Sequence, residues 1–138
     1  MAFYALIYRS QATVPVTAAV LRDILDSARR HNRAHRVTGL LVYRDGAFLQ
    51  LLEGARPAVL KLFETIGRDP RHADVVVVAE IENIRRFLPA WDMGFSAAKG
   101  IDPEVYLRED FISEEIARQL CATFPPAFSQ ELLAFLSD

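Results

Sequence analysis

Residues 37–54 read VTGLLVYRDGAFLQLLEG, two apolar runs with a polar pair between them. That pair, Asp45-Gly46, is among the strongest short-range signals for a two-residue β-hairpin turn. The runs on both sides are rich in leucine, valine and aromatic residues, which suits strands buried in a sheet. The stretch therefore predicts two paired strands, over residues 37–43 and 47–53.

The flanking sequence predicts a β-α-β-β-α-β order around this hairpin. Residues 3–8 are apolar or aromatic on both faces of a strand, which indicates a central position in the sheet. Thr17 suits the N-cap of a helix that runs to about residue 32. Pro57 and Gly67 mark the first turn and the end of a second helix. Residues 75–79, VVVVA, predict a fourth strand buried on both faces, and a short fifth strand is expected at residues 91–95.

This order is typical of an α+β, ferredoxin-like fold, here with a mixed five-stranded sheet and two helices on one of its faces. Residues 1–98 would form this core. Residues 99–138 contain two further helix-like segments, near residues 113–122 and 127–136, with Pro125-Pro126 between them. A sheet with buried central strands needs a cover on its second face. The C-terminal helices could supply that cover within the chain, or they could pack against a partner.

The composition fits a single globular domain. Of the 138 residues 51% are hydrophobic, enough for one core and for apolar surface that binds a ligand or another subunit. The net charge is −2, and charges of both signs are interspersed along the chain. There is no stripe of basic residues that would indicate binding to nucleic acid. No apolar run is long enough to cross a membrane, and the N-terminus has no charged leader. Cys121 stands alone, which excludes a disulfide framework, and we expect a cytoplasmic protein.

Gln50 is a polar residue in a position that suits core residues. It lies mid-strand between Leu49 and Leu51, and a buried amide without partners costs about 1 to 3 kcal/mol. Its partners could be neighbouring backbone groups, or the strand could lie at an exposed edge. Alternatively, because the first and third strands of a ferredoxin-like sheet are neighbours, Tyr8 at the end of the first strand could reach Gln50. A tyrosine at a strand end is also common for purely structural reasons.

The first helix carries a second polar feature. His31 and Asn32 continue, at spacings of three and four, the apolar stripe of Leu21, Ile24, Leu25 and Ala28. A helix end that meets water often carries such residues. Together with Tyr8 and Gln50, however, the two side chains converge on one mouth of the helix-covered face, as polar groups do in ligand pockets. The side chains expected to form walls for a flat ring are Ile24, Leu41, Phe48 and Ile66.

Two further segments are candidates. Residues 69–72, Asp-Pro-Arg-His, form either a polar turn or an anchor in which Arg71 binds a phosphate or polyol tail. Trp91 and Met93 would share one face of the fifth strand, either as core contacts or as residues that a register slip of two exchanges at one spot. The sequence shows no Gly-rich phosphate loop, no cluster of metal ligands and no nucleophile–histidine set, so we expect no metal and no conventional hydrolase or dehydrogenase.

Four segments resemble the BLUF family of flavin-binding blue-light sensors in their order and spacing. They are residues 6–10 (LIYRS), 37–54, 69–72 (DPRH) and 91–95 (WDMGF). The resemblance covers roughly residues 2–96, and the segment at 37–54 is highly specific. It implies bound FAD, with FMN or riboflavin as substitutes, and an isoalloxazine ring that lies between the two helices.

The resemblance also implies roles for single residues near the ring. Tyr8 corresponds to the tyrosine that passes an electron and then a proton to the excited flavin. Gln50 corresponds to the glutamine whose amide rearranges, by rotation or tautomerisation, and shifts the flavin spectrum to the red. Asn32 corresponds to the asparagine at the carbonyl and imide edge of the ring. His31 departs from the family, in which many members carry a second asparagine.

Two other groups of residues receive roles from the same resemblance. Arg71, with Asp69 and His72, corresponds to the region that contacts the ring or its side chain. Trp91 and Met93 correspond to the pair that carries the signal to the fifth strand.

Three functions follow as alternatives, and we favour the first. A sensor without enzymatic activity would signal through the C-terminal helices to a separate downstream protein, or within a homodimer or higher homo-oligomer. A small flavin-using enzyme on the same fold would use Tyr8 and His31 as acid and base, although no second substrate site is visible. A chaperone-like binding module would keep the pocket empty.

Overall fold

The computed structural model describes residues 3–83, 85–88, 91–98 and 100–137. The strands are β1 (Phe3–Ala12), β2 (Thr38–Arg44), β3 (Ala47–Gly54), β4 (His72–Asn83) and β5 (Gly94–Ala97), and the helices are α1 (Ala18–His35), α2 (Arg56–Gly67), α3 (Glu114–Cys121) and α4 (Pro126–Ser137). A short 3₁₀ helix covers Pro103–Leu107. The sheet has the order β4-β1-β3-β2-β5 and is antiparallel except for the pair β2–β5. This confirms the ferredoxin-like arrangement with its fifth strand.

The predicted hairpin joins β2 and β3. Asp45 and Gly46 have positive φ angles of 45° and 84°, the conformation that a tight two-residue turn between antiparallel strands requires. The turn sets the register of β2 and β3, so that Gln50 of β3 lies opposite Leu41 of β2. On its other side β3 pairs with β1, where Tyr8 lies opposite Gln50. Every residue of β3 is buried.

Helix α1 begins where the sequence predicts, but it ends later than predicted. Thr17 Oγ1 accepts the N–H of Val20 at 3.2 Å, as an N-cap does. The helix continues beyond the predicted end and stops at Arg36, which adopts the left-handed conformation with φ at 55°. The extra residues keep Asn32 within the helix, where its side chain faces the core and not water.

The sheet separates two apolar cores, because side chains alternate between its faces along each strand. On one face, α1 and α2 pack against the sheet through Leu21, Leu25, Val59 and Leu62. On the other face, α3 and α4 contribute Ala117, Cys121, Phe128 and Leu132 to a core with Ile7, Leu40, Val42, Leu49 and Leu51. The C-terminal helices therefore cover the second face within the chain.

The fourth strand is less buried than predicted. β4 lies at the edge of the sheet and pairs with β1 among the described strands. Val76 and Val77 have exposed fractions of 57% and 40%, so the prediction of burial on both faces is wrong. A run of valines suits a half-exposed edge strand as well as a buried one, and the local sequence does not distinguish the two.

Trp91 and Met93 do not share a face, contrary to the prediction. β5 begins at Gly94, so both residues precede the strand and the alternation of strand side chains does not apply to them. Their backbone carbonyls accept hydrogen bonds from β2 and α1. The carbonyl of Trp91 accepts the N–H of Gly39 at 3.2 Å, and the carbonyl of Met93 accepts from the guanidinium of Arg29. Met93 packs in the core under α1 and α2, whereas Trp91 packs in the core under α3 and α4.

The chain that follows β5 returns to the edge of this strand. Ile112 donates its N–H to the carbonyl of Phe95 at 2.8 Å, and Phe111 forms a β-bridge with Phe95. A division into a core and an extension at residue 98 stays a prediction. Among the described helices, none is long and apolar enough to cross a membrane.

Candidate functional site

A cavity of about 170 Å³ lies between α1, α2 and the sheet. The side chains predicted to bind a cofactor all line it: Tyr8, Ile24, His31, Asn32, Leu41, Phe48, Gln50, Ile66, Asp69, Arg71 and His72. Ser27, Ala28, Leu62 and Thr65 add to its lining. Trp91 and Met93 lie outside the lining, and Met93 is connected to it through Gln50.

Tyr8 and Gln50 lie opposite each other on neighbouring strands. The hydroxyl of Tyr8 donates a hydrogen bond to Oε1 of Gln50. Both side chains are buried, with exposed fractions of 2% and 4%. Burial raises the pKa of Tyr8 far above its ordinary value, and the charge of Asp69 raises it further. The phenol therefore keeps its proton at physiological pH and remains the donor in this pair.

The other end of the Gln50 amide faces Met93. Nε2 donates to the sulfur of Met93 at 3.4 Å. Gly39 on β2 leaves space for this side chain, because a Cβ at Gly39 would lie 2.7 Å from Cε and 3.1 Å from Sδ of Met93. An amide has a donor end and an acceptor end of nearly equal shape. Rotation of the Gln50 amide would therefore turn Nε2 toward Tyr8 and Oε1 toward Met93 without moving the backbone.

Asn32 is fully buried, and only one end of its amide has a partner. Nδ2 donates to the carbonyl of Asp92 at 2.5 Å, and since a carbonyl can only accept, this bond fixes the orientation of the amide. Oδ1 has no hydrogen-bond partner among the described residues. A buried acceptor without a partner costs about 1 to 3 kcal/mol. An N–H donor of a ligand in the cavity would satisfy it.

Asp69 and Arg71 form an ion pair in the cavity wall. Nε of Arg71 lies 3.0 and 3.1 Å from the two carboxylate oxygens of Asp69, and Nη2 lies 2.6 Å from one of them. These hydrogen bonds lower the pKa of Asp69 and raise the pKa of Arg71. A phosphate or polyol tail would have to share Arg71 with this carboxylate.

His72 has partners within the protein at both ring nitrogens. Nε2 lies 2.7 Å from the carbonyl of Ile66 and so carries the proton, which leaves Nδ1 to accept from Oγ of Ser10 at 2.8 Å. The ring lies edge-on to Tyr8, with centroids 6.1 Å apart. His72 thus joins β1, α2 and β4 at the cavity, and only its ring surface is left for a ligand.

His31 is partly buried in the cavity lining and stacks on His35, which follows one turn later on α1. The ring centroids are 4.3 Å apart and the planes differ by 20°. Burial lowers the pKa of His31, and the charges of His35 and Lys61 lower it further. The imidazole of His31 is therefore neutral near pH 7.

Residues 3–94 match the sequence model of a family described as "BLUF: Sensors of blue-light using FAD". The chain belongs to the BLUF family. BLUF domains are sensory modules that bind flavin, and this chain is accordingly a blue-light photoreceptor domain.

Relatives and solved structures agree with this assignment. The BLUF chain is 33% identical over 132 residues to the photoactivated adenylate cyclase subunit beta of Euglena longa, a match that covers 96% of the chain and 13% of that protein. It is 30% identical over 107 residues to the blue light- and temperature-regulated antirepressor BluF of Escherichia coli (strain K12), covering 78% of the chain and 25% of that protein. The solved BlrP1 BLUF structure superposes with a TM-score of 0.75 at 29% identity, over 100% of this chain and 92% of that one. The chain thus spans a small part of these two curated relatives.

The cavity of this BLUF domain fits the chemistry of a flavin ring. Such a ring is flat and apolar over most of its surface, and one edge carries an imide N–H between two carbonyl groups. Ile24 and Ile66 supply apolar walls from the two helices, and Phe48 supplies one from the sheet. The unpaired Oδ1 of Asn32 is an acceptor that an imide N–H would satisfy.

The sequence did not identify Ser27, Thr65 or Arg29 as members of the BLUF site or its surroundings. Ser27 precedes His31 by one helical turn, a spacing that could have revealed it. Thr65 is the chain neighbour of Ile66 in the lining. Arg29 binds the carbonyl of residue 93 through Nε and Nη2 at 3.1 and 3.0 Å, a contact between positions 64 residues apart that no local pattern reports.

Proposed function

We propose that this BLUF domain detects blue light with FAD bound between α1 and α2, and that Tyr8 and Gln50 respond to the excited cofactor. The observation that carries this proposal is the hydrogen bond from Tyr8 to Gln50 in the wall of the cavity. The unpaired carbonyl of Asn32 in the same lining supports it.

Some residues of the lining would bind the ring of the cofactor, and others would bind its polar tail. A bound flavin supplies the absorption of blue light and, when excited, accepts an electron. Asn32 would accept a hydrogen bond from the imide edge, while Ile24 and Ile66 would form the apolar walls. Arg71 and Asp69 would bind the polar tail. FMN or riboflavin could replace FAD, since the ring is common to all three, and the tail contacts would decide the preference.

The Tyr8 hydroxyl carries the proton that this chain would transfer in the light response. In the structure it is donated to Oε1 of Gln50, and burial keeps it on the phenol in the absence of light. Once the Gln50 amide is reversed, Nε2 faces Tyr8, whose oxygen must then accept. Oε1 would in turn face the sulfur of Met93. Both atoms are hydrogen-bond acceptors, so they cannot form a hydrogen bond with each other. Reversal of Gln50 therefore breaks its contact with Met93.

Arg29 connects Met93 to the C-terminal part of the chain. Its guanidinium binds the carbonyl of Met93 and, through Nη1, the carboxylate of Asp110 at 2.5 Å. Asp110 also accepts from Nε and Nη2 of Arg108, each at 2.8 Å. A movement of Met93 would thus act on the segment that returns to the edge of β5. We infer that the signal leaves the domain along this route.

The C-terminal part also exposes apolar side chains that a partner could bury. Leu107 and Ile116 have exposed fractions of 84% and 55%, although neighbouring residues of the same segment close the second core. We propose that the recipient is a separate signalling protein or a second copy of the chain in a homodimer or higher homo-oligomer. The domain would have no enzymatic activity of its own. The unpaired, buried Cys121 suits a cytoplasmic location.

A flavin-using enzyme is the alternative function, and the ionisation of the site argues against it. A catalytic acid or base works best with a pKa near the working pH, whereas burial raises the pKa of Tyr8 far above this range. Steady consumption of a reductant in the dark would nevertheless favour the enzyme.

The test is an absorption spectrum of the purified protein before and after blue light. We expect a flavin spectrum that shifts modestly to the red and returns in the dark. A colourless protein, or one that bleaches without a reversible shift, would overturn the proposal. Chromatography of the cofactor released by denaturation separates FAD from FMN and riboflavin, so the preference for FAD is tested independently of the light response.

A further inference from the structure

His31 and His35 form a pair of imidazoles that takes no part in the hydrogen bond between Tyr8 and Gln50. The two residues lie four positions apart on α1, a spacing that places both side chains on one face of a helix. Their rings stack with centroids 4.3 Å apart. His31 lines the cavity, whereas His35 is exposed outside it. The pair therefore extends from the cavity lining to the protein surface.

The hydrogen bonds of this pair leave nitrogen lone pairs for a ligand. Nδ1 of His35 lies 2.9 Å from the carbonyl of His31. Because a carbonyl only accepts, Nδ1 carries the proton and Nε2 of His35 keeps a free lone pair. The lone pairs lie in the ring planes, which differ by 20° in the stack, so the His31 ring would rotate about its Cβ–Cγ bond to share one ion with Nε2 of His35. Histidines that bind a metal ion commonly donate their other N–H to a carbonyl in this way, which fixes the orientation of the ring. The ring nitrogens of His31 have no hydrogen-bond partner among the described residues.

We propose that His31 and His35 together bind a divalent transition-metal ion at the last turn of α1. Two histidines at this spacing are the recurring ligand pair of helical zinc sites. Imidazole nitrogen suits Zn²⁺, Cu²⁺ and Ni²⁺, whereas Mg²⁺ and Ca²⁺ prefer oxygen ligands. Water would fill the remaining positions, because no group of three or more His, Cys, Asp or Glu side chains is placed to hold a metal within the described residues.

The charge beside the pair bears on its affinity for a metal ion. Lys61 acts electrostatically on His31. The same Lys61 would repel a bound cation. The charge on Lys61 therefore weakens the site, and its removal should strengthen metal binding.

A metal ion on this pair would also influence the cavity. His31 lines it, and Asn32, whose amide holds Asp92, is the next residue along the helix. Two ligands joined across one turn would restrict the rotation of the His31 ring and stiffen the end of α1. We expect Zn²⁺ to change the flavin absorption maximum or the rate of dark recovery when a flavin is bound.

Calorimetric titration of the untagged protein, purified with its cofactor, with Zn²⁺ at pH 7.5 tests the proposal. We expect one equivalent to bind, and we expect this binding to be lost in both His31→Asn and His35→Gln. Lys61→Gln should bind Zn²⁺ more tightly than the wild type. Cys121 is buried and offers no competing ligand.

His35→Gln is the matched variant, because His35 is outside the lining and its replacement should leave the light response intact. In the wild type, added Zn²⁺ should alter the spectrum or the dark recovery, and in His35→Gln it should not. Zinc binding that persists in either histidine variant, or that is absent from the wild type, would overturn the proposal. The titration itself does not depend on light, so a protein that fails to switch can still bind Zn²⁺ through this pair.

Discussion

The amide nitrogen of Gln50 donates to the sulfur of Met93 at 3.4 Å, across the core that lies under α1 and α2. The opposite end of the same amide accepts from Tyr8. Trp91 packs in the other core, so Met93 is the member of the pair that can respond directly to Gln50. The contact also gives the amide a preferred orientation, with its oxygen toward Tyr8.

Gln50→Leu should retain the flavin and lose the red shift. Leucine has a similar volume and keeps the apolar lining, but it cannot exchange a donor for an acceptor. The measurement is the difference spectrum between light and dark, with the ratio of flavin to protein as the control for binding. Normal switching in this variant would show that another side chain responds to the excited cofactor.

Met93→Leu tests whether the sulfur stabilises the dark orientation of Gln50. The exchange conserves volume and removes the acceptor, so we expect the red shift to remain and dark recovery to slow. A hydrogen bond contributes about 0.5 to 1.5 kcal/mol, which limits the effect to roughly tenfold. The measurement is the recovery rate after a light pulse. Unchanged recovery would leave the contact without a role in the switch.

Much of the fold could be predicted because its signals are local. The Asp45-Gly46 turn fixes the register of β2 and β3, and this register places Gln50 opposite Leu41. The ferredoxin-like strand order makes β1 the other neighbour of β3, and this order brings Tyr8 next to Gln50. The helical spacing of the apolar stripe on α1 likewise predicts that Asn32 lies on the face of the helix that packs against the sheet. Most of the cavity lining was predictable since its members lie at regular positions on two helices and on β1, β2 and β3, whereas Asp69 and Arg71 lie in the turn before β4.

The remaining features depend on contacts between distant parts of the chain. Whether β4 lies at an edge is decided by the order of strands in the sheet, which a run of valines does not encode. Trp91 and Met93 are placed by carbonyls that bind Gly39 and Arg29, so strand alternation gave a wrong prediction for them. Every residue type has a backbone carbonyl. The sequence therefore does not show which carbonyl accepts a hydrogen bond from a distant residue.

The ion pair between Arg29 and Asp110 should contribute to stability in a pH-dependent way. Hydrogen bonds from Arg108, and then from Arg29, hold the pKa of Asp110 below its ordinary value of 3.8. Because the folded-state pKa is depressed, the contribution is present above about pH 4 and is lost as the pH falls below that value. Asp110→Asn should therefore be less stable than the wild type at pH 7, and the difference should shrink in acid.

A double-mutant cycle with Arg29→Gln and Asp110→Asn measures the coupling at pH 7 by denaturant unfolding. We expect about 0.5 to 1.5 kcal/mol, because both side chains are partly buried and share a network with Arg108. Arg68 and Glu64, an exposed pair at the C-terminal end of α2, provide the control cycle and should show a coupling close to zero. Equal values for the two pairs would contradict a special role for Arg29.

Glu53 should be a strong determinant of stability. Its carboxylate is fully buried, and its two oxygens accept the backbone N–H groups of Phe87 and Leu88 at 3.0 and 3.1 Å. Glu53→Ala would leave both amides unsatisfied, at a cost of about 1 to 3 kcal/mol for each. Glu53→Gln keeps one acceptor and should lose less. Chemical denaturation measures both, and an unaffected alanine variant would mean that water reaches these amides.

The pH dependence at Glu53 has the opposite sign to that at Asp110. Burial raises the pKa of Glu53 above its ordinary value of 4.5, although the two backbone N–H groups and Arg86 oppose this shift. The folded state therefore favours the protonated carboxyl, and the corresponding stability is lost as the pH rises through the folded-state pKa. Glu53→Gln lacks this titration, so its stability relative to the wild type should improve with rising pH over that interval.

Cys121 offers a direct measurement of whether light reaches the C-terminal helices. The thiol is fully buried at the end of α3, and burial raises its pKa to about 12. A thiol reagent at pH 8 should therefore react slowly in the dark, at a rate set by opening of the helix. If the signal passes from Met93 through Arg29 to Asp110, illumination should accelerate the reaction, and Arg29→Gln should abolish the difference between light and dark while the red shift persists. Equal labelling rates in light and dark for the wild type would exclude loosening of α3 as the output of the domain.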